Sequence, residues 1–226
     1  MQTALPYELR IGVTGHRHLS DAAAVAQAVE RVLDHLQDTL PAAASVPDGR
    51  AGSPRAPLHW TVVSPLAKGA DRIVARVVLN RPSARLEVIT PFPVYEYRRD
   101  FAAADDRAEF EELLALDPSP FELHPDLGPE GAADRQARRN EGYFEVGCRV
   151  VEAAEIIIAV WNGEQAQGRG GTGDIVQHAV ERGRVVLWID SENPAKPAQQ
   201  ITGFARHETQ LEAIGRPITQ PLPMRW

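Results

Sequence analysis

IIIAVWNGEQAQGRGGTGDIVQHAV, residues 156–180, combines three local patterns in one stretch of the chain. Its apolar run Ile156–Trp161 predicts a buried strand. Five glycines follow within eleven residues, at positions 163, 168, 170, 171 and 173. Apolar residues then recur at helical spacing, at Ile175, Val176, Ala179 and Val180. The stretch therefore predicts a strand, a glycine-rich loop and a helix.

The glycine-rich loop is a candidate phosphate site. Glycines let a backbone approach a ligand closely, and a helix N-terminus presents free N–H groups and a positive dipole end. The candidate ligand-binding residues here are Gly168, Arg169, Gly170, Gly171 and Thr172. The alternative is a loop that only turns a corner, with Thr172 as the helix N-cap. Asp174, in the first helical turn, is a ribose-binding or catalytic candidate.

The rest of the chain repeats the alternation of strand and helix. Strands are predicted at Leu9–Thr14, Leu58–Val63, Leu86–Thr90 and Arg184–Asp190. Helices are predicted from Ser20 or Asp21 to Pro41, around Ile73–Val78, at 105–116 and at 134–154, with a loop at 117–130. This order predicts an α/β, Rossmann-like doubly wound fold: a mainly parallel sheet of five or more strands with helices on both faces.

Composition sets the broad class of the chain. A length of 226 residues with 43% hydrophobic residues fits one domain, with a core at about 8–190 and a Pro-rich extension at 191–226. A mobile connector is expected at 41–57 and a short helix near 207–214.

The net charge of −7 argues against a nucleic-acid or membrane surface, and the absence of a signal-like start favours the cytoplasm. Cys148 is predicted to lie in the core, and no zinc-ligand spacing is present.

Two further polar loops are expected at the same edge of the sheet. Ligands of doubly wound sheets bind beyond the carboxyl ends of the strands, where neighbouring crossovers leave to opposite faces. If the first strand adjoins Ile156–Trp161, the turn after the first strand meets the glycine-rich loop. The candidate ligand-binding residues of these loops are Thr14, Gly15, His16, Arg17, Ser64, Lys68, Gly69 and Asp71. Exposed positions for His16 and Lys68, and a dipole role for Asp71, are the alternatives.

Aromatic residues are a further expectation at this edge. Tyr95, Tyr97 and Tyr143 could form a wall for a base, although such residues are more often part of a core. Trp161, at the end of its strand, is expected to pack beneath the loop. No metal is predicted.

Four motifs together resemble the SLOG superfamily, in its bacterial branch that carries a TGHR motif. They are IGVTGHR at 11–17, SPLAKGADR at 64–72, TPFPVYEYRRDF at 90–101 and IIIAVWNGEQAQGRGGT at 156–172. The resemblance implies a Rossmann-like nucleotide-binding fold and a homodimer. Relatives include the Lonely Guy phosphoribohydrolases, DprA-type DNA-processing proteins and sensor domains of bacterial defence systems.

The chain departs from the Lonely Guy motif PGGxGTxxE at its last position. Ile175 stands where that glutamate would fall, and NEGYFEVG at 140–147 lacks the partner arginine. We therefore expect a nucleotide-binding sensor for an NAD-derived, ADP-ribose-like or cyclic nucleotide, which needs no cofactor and reports to an effector protein. The alternative is a nucleotide N-glycosidase or phosphoribohydrolase using Asp174, with Glu141 or Glu145. Single-stranded DNA binding is a third and weaker expectation.

Overall fold

An eight-stranded sheet forms the centre of the molecule in the computed structural model, which describes residues 7–43, 58–124, 132–164, 170–207 and 210–218. The strands are β1 (Tyr7–Gly15), β2 (Leu58–Ser64), β3 (Arg85–Thr90), β4 (Phe121–Glu122), β5 (Ile156–Trp161), β6 (Val185–Asp190), β7 (Gln199–His207) and β8 (Gln210–Pro217). Their order in the sheet is β4-β3-β2-β1-β5-β6-β7-β8. The first six strands run parallel, and β7 and β8 are antiparallel to their neighbours.

Helices cover both faces of this sheet. They are α1 (Ala22–Ala43), α2 (Ala70–Leu79), α3 (Val94–Tyr97) with a 3₁₀ turn at Arg98–Asp100, α4 (Ala104–Leu114), α5 (Ala132–Ala153) and α6 (Thr172–Glu181). Alternate residues of β5 point to opposite faces: Ile156 and Ile158 pack with α1 and α2, whereas Ile157 and Ala159 pack with α5 and α6. The unbroken apolar run of β5 is explained by burial on both faces, and the predicted fold class is confirmed.

The parallel pairing of β1 with β5 positions the site. The register runs from Ile11 opposite Ile156 to Gly15 opposite Val160. On its other side β1 pairs with β2. Strands β2 to β4 therefore extend the sheet on one side of β1, and β5 to β8 extend it on the other. The expectation that the first strand adjoins Ile156–Trp161 is confirmed, and the point where the strand order reverses lies between β1 and β5.

Three expectations about local structure are wrong. The loop predicted at 117–130 contains the short strand β4, which pairs with the end of β3 through Phe121 opposite Ile89. The helix predicted near 207–214 is absent, because β7 and β8 form an antiparallel pair that extends the sheet beyond β6. The free edge of β6 offers backbone hydrogen bonds that outweigh a weak helical pattern.

Pro41 does not end α1, which continues to Ala43, because a proline removes one N–H group but keeps a helical φ. Residues 44–57 of the expected connector lie outside the described ranges.

None of the helices in the described ranges is long and apolar enough to cross a membrane. Cys148 is half-buried on α5 and packs against the core between α5, α6 and β5.

Candidate functional site

Two adjoining cavities open at the carboxyl ends of β1 and β5. The larger one, which we call the outer cavity, has a volume of about 350 Å³, within the range of small-ligand pockets. The smaller inner cavity has a volume of about 90 Å³. Gly15, Arg17, Gly170 and Thr172 border both cavities. The outer cavity is also lined by His16, Trp161, Asn162, Glu164, Gly171 and Gly173. The inner cavity is also lined by Val13, Thr14, Pro65, Ala67, Asp71, Tyr97, Tyr143, Val146, Gly147 and Ile175.

The turn after β1 is held against α2 by backbone contacts. The His16 N–H donates to the carbonyl of Val160 at 3.0 Å, and the Ala70 N–H donates to the carbonyl of His16 at 3.1 Å. Gly69 has a φ of +86°, and a Cβ on it would lie 2.5 Å from the carbonyl oxygens of His16 and Arg17. Gly69 is therefore required by the close approach of two loops.

Helix α6 begins without a side-chain cap. Gly171 is the N-cap, and its carbonyl accepts the N–H groups of Asp174 and Ile175. Thr172 is the first helical residue, so its expected alternative role as the N-cap is wrong. Within the described ranges, the N–H groups of Thr172 and Gly173 have no acceptor, and both residues line the outer cavity. This helix end presents donors and a positive dipole end to the outer cavity.

Asp174 serves the loop that precedes α6. Its Oδ2 accepts the Gly170 N–H at 3.0 Å, and its side chain is half-buried. Asp174 lines neither cavity, although Gly170 lines both. The geometry makes Asp174 an anchor for the loop backbone.

Arg17 lies between the two cavities with its guanidinium unpaired. The guanidinium carbon lies 5.2 Å from the centre of the Tyr143 ring, a cation–π contact. Tyr143 is held in turn by hydrogen bonds to Asp100 and Arg139. In the part of the chain that the structure describes, no group forms a hydrogen bond or ion pair with the Arg17 side chain. The guanidinium is thus positioned by stacking while its donors stay available to an anion.

Asp71 is the buried acid of the inner cavity. The residue is 5% exposed, and its Oδ2 accepts the Ala67 N–H at 3.1 Å. Burial raises the pKa of Asp71 to about 7, although the Ala67 N–H and the charges of Arg17 and Arg72 act to lower it. This carboxyl group therefore exchanges its proton near neutral pH.

His16 contributes a neutral ring to the outer cavity. Burial lowers the pKa of His16, against the opposing effects of Glu164 and Glu192. Its Nδ1 lies 3.4 Å from the Ser191 hydroxyl. At neutral pH the imidazole can accept or donate a hydrogen bond without adding a charge.

Several predicted site residues lie away from both cavities. Ser64 is fully buried, and its Oγ accepts the Leu66 N–H at 3.0 Å, so it shapes its own loop. The Lys68 side chain is exposed and lines neither cavity. Tyr95, proposed for the aromatic wall, is 66% exposed. Gly168 and Arg169 lie outside the described residues.

The structure also adds residues that the motifs did not single out. Asn162 and Glu164 directly follow β5 and line the outer cavity, and Val146 and Gly147 of α5 line the inner one. The signal available for the first pair was their place just after a buried strand. Tyr143, which the sequence predicted for this edge, also belongs to α5 and lines the inner cavity, so Val146 and Gly147 extend a predicted contact along the same helix.

No protein-family model, curated protein or solved structure matches this chain. Among the described residues, no group of three or more His, Cys, Asp or Glu side chains could hold a metal ion. The fold and the site define an α/β protein with a polar, donor-rich crevice at the point where its strand order reverses.

Proposed function

We propose that this chain binds a nucleotide in the outer cavity, with a phosphate group at the N-terminus of α6 beside Arg17. One observation carries the proposal: the unpaired guanidinium of Arg17 borders the same cavity as the unbonded N–H groups of Thr172 and Gly173. An anion there meets a charged planar donor and a helix dipole together. The Glu164 carboxylate suits the N–H groups of a base, as does the second lone pair of Asn162 Oδ1, which already accepts the Glu164 N–H at 3.1 Å.

A sensor that does not turn over its ligand fits the site better than a hydrolase. The carboxylate of Asp174 is bonded to the Gly170 N–H. Ile175, where the Lonely Guy glutamate would stand, is 3% exposed and packs against the core and Gly147. The ligand class we propose is an NAD-derived, ADP-ribose-like or cyclic nucleotide.

The cellular setting of this sensor is also a proposal, and it rests on the resemblance to the SLOG superfamily. We propose a cytoplasmic homodimer that reports nucleotide binding to an effector protein in bacterial defence or signalling. Sedimentation of the purified chain with and without nucleotide tests the dimer.

The nucleotide proposal is tested by incubating the pure protein with AMP, NAD, ADP-ribose and cyclic nucleotides. Thermal shift reports binding, and chromatography reports release of free base. We expect a shift without release. Arg17→Ala removes a charge-assisted pair and should weaken binding at least tenfold. Gly171→Asp places a carboxylate at the anion position and should have at least as large an effect.

Arg85→Ala is the matched control, because Arg85 is an exposed arginine at the start of β3, at the opposite end of the strands. Its nucleotide affinity should equal that of the wild type. Unchanged affinity in both Arg17→Ala and Gly171→Asp would remove the proposed site.

The N-glycosidase or phosphoribohydrolase alternative is favoured by one observation. Asp71 is a carboxyl group in the inner cavity with a pKa raised to about 7, which suits a general acid. Release of free base that disappears in Asp71→Asn or Asp174→Asn would establish this alternative over the sensor.

A further inference from the structure

Three largely buried residues of the inner cavity each have a polar side-chain atom without a hydrogen-bond partner among the described residues. The second carboxyl oxygen of Asp71, Oδ1, forms no hydrogen bond with any described residue. The hydroxyl groups of Tyr97 and Thr14 also have none within the described ranges, although Tyr97 is 1% exposed. None of these three atoms is among the fully enclosed unpartnered atoms of the described residues, so they remain accessible from the cavity that their residues line. A molecule that enters the cavity can therefore form hydrogen bonds with all three.

The size of the inner cavity limits what can enter it. Its volume is about 90 Å³, against about 350 Å³ for the outer cavity. The smaller cavity suits a smaller part of a nucleotide than the base. A pair of hydroxyl groups on a sugar ring is small enough and supplies both donors and acceptors.

Hydrogen-bonding groups separate a sugar from a phosphate as the occupant. A phosphate only accepts hydrogen bonds, and in the inner cavity it would face the Asp71 carboxyl group. The outer cavity, which Glu164 also lines, offers the unbonded N–H group of Gly173, and Thr172 borders both cavities. A neutral diol suits Asp71 because each hydroxyl can donate to Oδ1 while accepting from Tyr97 or Thr14. Arg17 borders both cavities, so one molecule can present its phosphate to the outer cavity and its sugar to the inner one.

We propose that the inner cavity binds the ribose hydroxyl groups of the ligand and that Asp71 is the residue that selects ribonucleotides over deoxyribonucleotides. This inference rests on the proposed nucleotide site. Tyr97 and Thr14 complete the hydrogen bonds of the diol.

The experiment measures binding by calorimetry for two matched pairs of ligands and for inorganic phosphate. The pairs are AMP with 2′-deoxy-AMP, and ribose 5-phosphate with 2-deoxyribose 5-phosphate. Because a hydrogen bond to a charged group changes affinity about tenfold or more, the ribose member should bind at least tenfold more tightly in each pair. Asp71→Asn, which keeps the volume and one acceptor, should reduce that ratio to under about threefold without weakening inorganic phosphate binding.

Asp38→Asn removes an exposed carboxylate of α1 and is the matched control; it should leave the ratio unchanged. Comparing the ligands on the wild-type protein keeps the test valid if Asp71→Asn folds poorly. Equal affinity of the wild-type protein for both members of a pair overturns the ribose pocket, as does an undiminished ratio in a folded Asp71→Asn variant. If neither pair binds while another nucleotide does, only this inference fails. If no phosphate-bearing probe binds, the proposed function fails with it.

Discussion

Asp71 shows at the scale of one residue how folding changes the chemistry of a side chain. In solution an aspartate is ionised at neutral pH, with a pKa near 3.8. In the fold the group is enclosed between Ala67, Tyr97 and Arg17, and burial favours its neutral form. The same residue in an exposed loop would carry a full charge and lose this property.

The stability of the protein should therefore depend on pH through Asp71. The folded pKa, about 7, lies above the unfolded value of 3.8, so the folded state holds more protons between these values. The free energy of unfolding then falls as pH rises from about 4 to 7, and the penalty is complete above pH 7. Arg17 remains charged and Tyr97 neutral throughout this range, because the pKa of each is raised further above it. The lowered pKa of His16 acts in the opposite direction, so the contribution of Asp71 is measured as the difference between Asp71→Asn and the wild type.

Asp71→Asn removes this penalty. We expect it to stabilise the protein more at pH 8 than at pH 5, by about 2–3 kcal/mol, in urea unfolding at the two pH values. Asp38→Asn, on the exposed face of α1, should show no such difference. Equal effects of Asp71→Asn at both pH values would show that its pKa is not raised.

Gly69 combines a strained backbone angle with a lack of space. Gly69→Ala should cost more than about 2 kcal/mol in the free energy of unfolding, because φ is +86° and the Cβ meets two carbonyl oxygens. Gly183→Ala is the control for the angle alone, since its φ is +69° and nothing lies within 4 Å of its Cβ. It should cost about 1 kcal/mol. Similar losses in denaturant melts of both variants would contradict the close approach of the loops.

At the scale of the element, α6 and its preceding loop are held by contacts from two directions. Asp174 bonds the Gly170 N–H from within the helix, and the backbone of Phe144 in α5 lies 3.0 Å from where a Gly170 Cβ would be. Gly147 of α5 leaves the space that Ile175 fills. Gly170 and the start of α6 are thus positioned by packing against α5 as well as by the bond to Asp174.

Removing the Asp174 anchor should affect both stability and binding. Asp174→Ala leaves the Gly170 N–H without its acceptor and should cost about 1 kcal/mol and weaken nucleotide binding severalfold. Asp174→Asn keeps an acceptor and should retain most of both. Glu155→Ala removes a similar bond, from the Arg10 N–H, just before β5 begins and so at the opposite end of the strands from the start of α6. That control should lose stability and keep its affinity; an equal loss of affinity would contradict the local role of Asp174.

At the scale of the whole molecule, the C-terminal segment is part of the sheet. β7 pairs with β6 through Leu187 opposite Gln200 and Trp188 opposite Gln199. Ile201 is 5% exposed and packs with the core between β5, α5 and α6. The hairpin therefore covers an edge that would otherwise present unpaired backbone groups.

Ile201→Ala should lower the free energy of unfolding by about 2 kcal/mol or more, since it deletes buried methyl groups. Leu116→Ala, at a side chain that is 56% exposed, should change it by less than about 0.5 kcal/mol. Chemical denaturation measures both. If the two variants were equally stable, β7 would be an appendage and not part of the core.

The sequence by itself determined the elements and their class. Apolar runs such as Ile156–Trp161 and helical spacing such as Val25, Val29 and Val32 are local patterns, so they predict strands and helices before any contact is known. Gly15 and Arg17, at and just after the end of β1, were expected at this edge of the sheet from the sequence, and both line the crevice. Their ligand remains a prediction.

Only the tertiary structure decided which of the polar residues share a cavity. Ser64, Lys68 and Asp71 lie within eight consecutive positions, from the end of β2 to the start of α2, yet Ser64 is fully buried, Lys68 is exposed and Asp71 lines the inner cavity. The tail gave no periodic signal for a hairpin and pairs because β6 has an open edge. These outcomes depend on neighbours that are distant in the chain, and side-chain burial and strand pairing are set by those neighbours and not by local spacing.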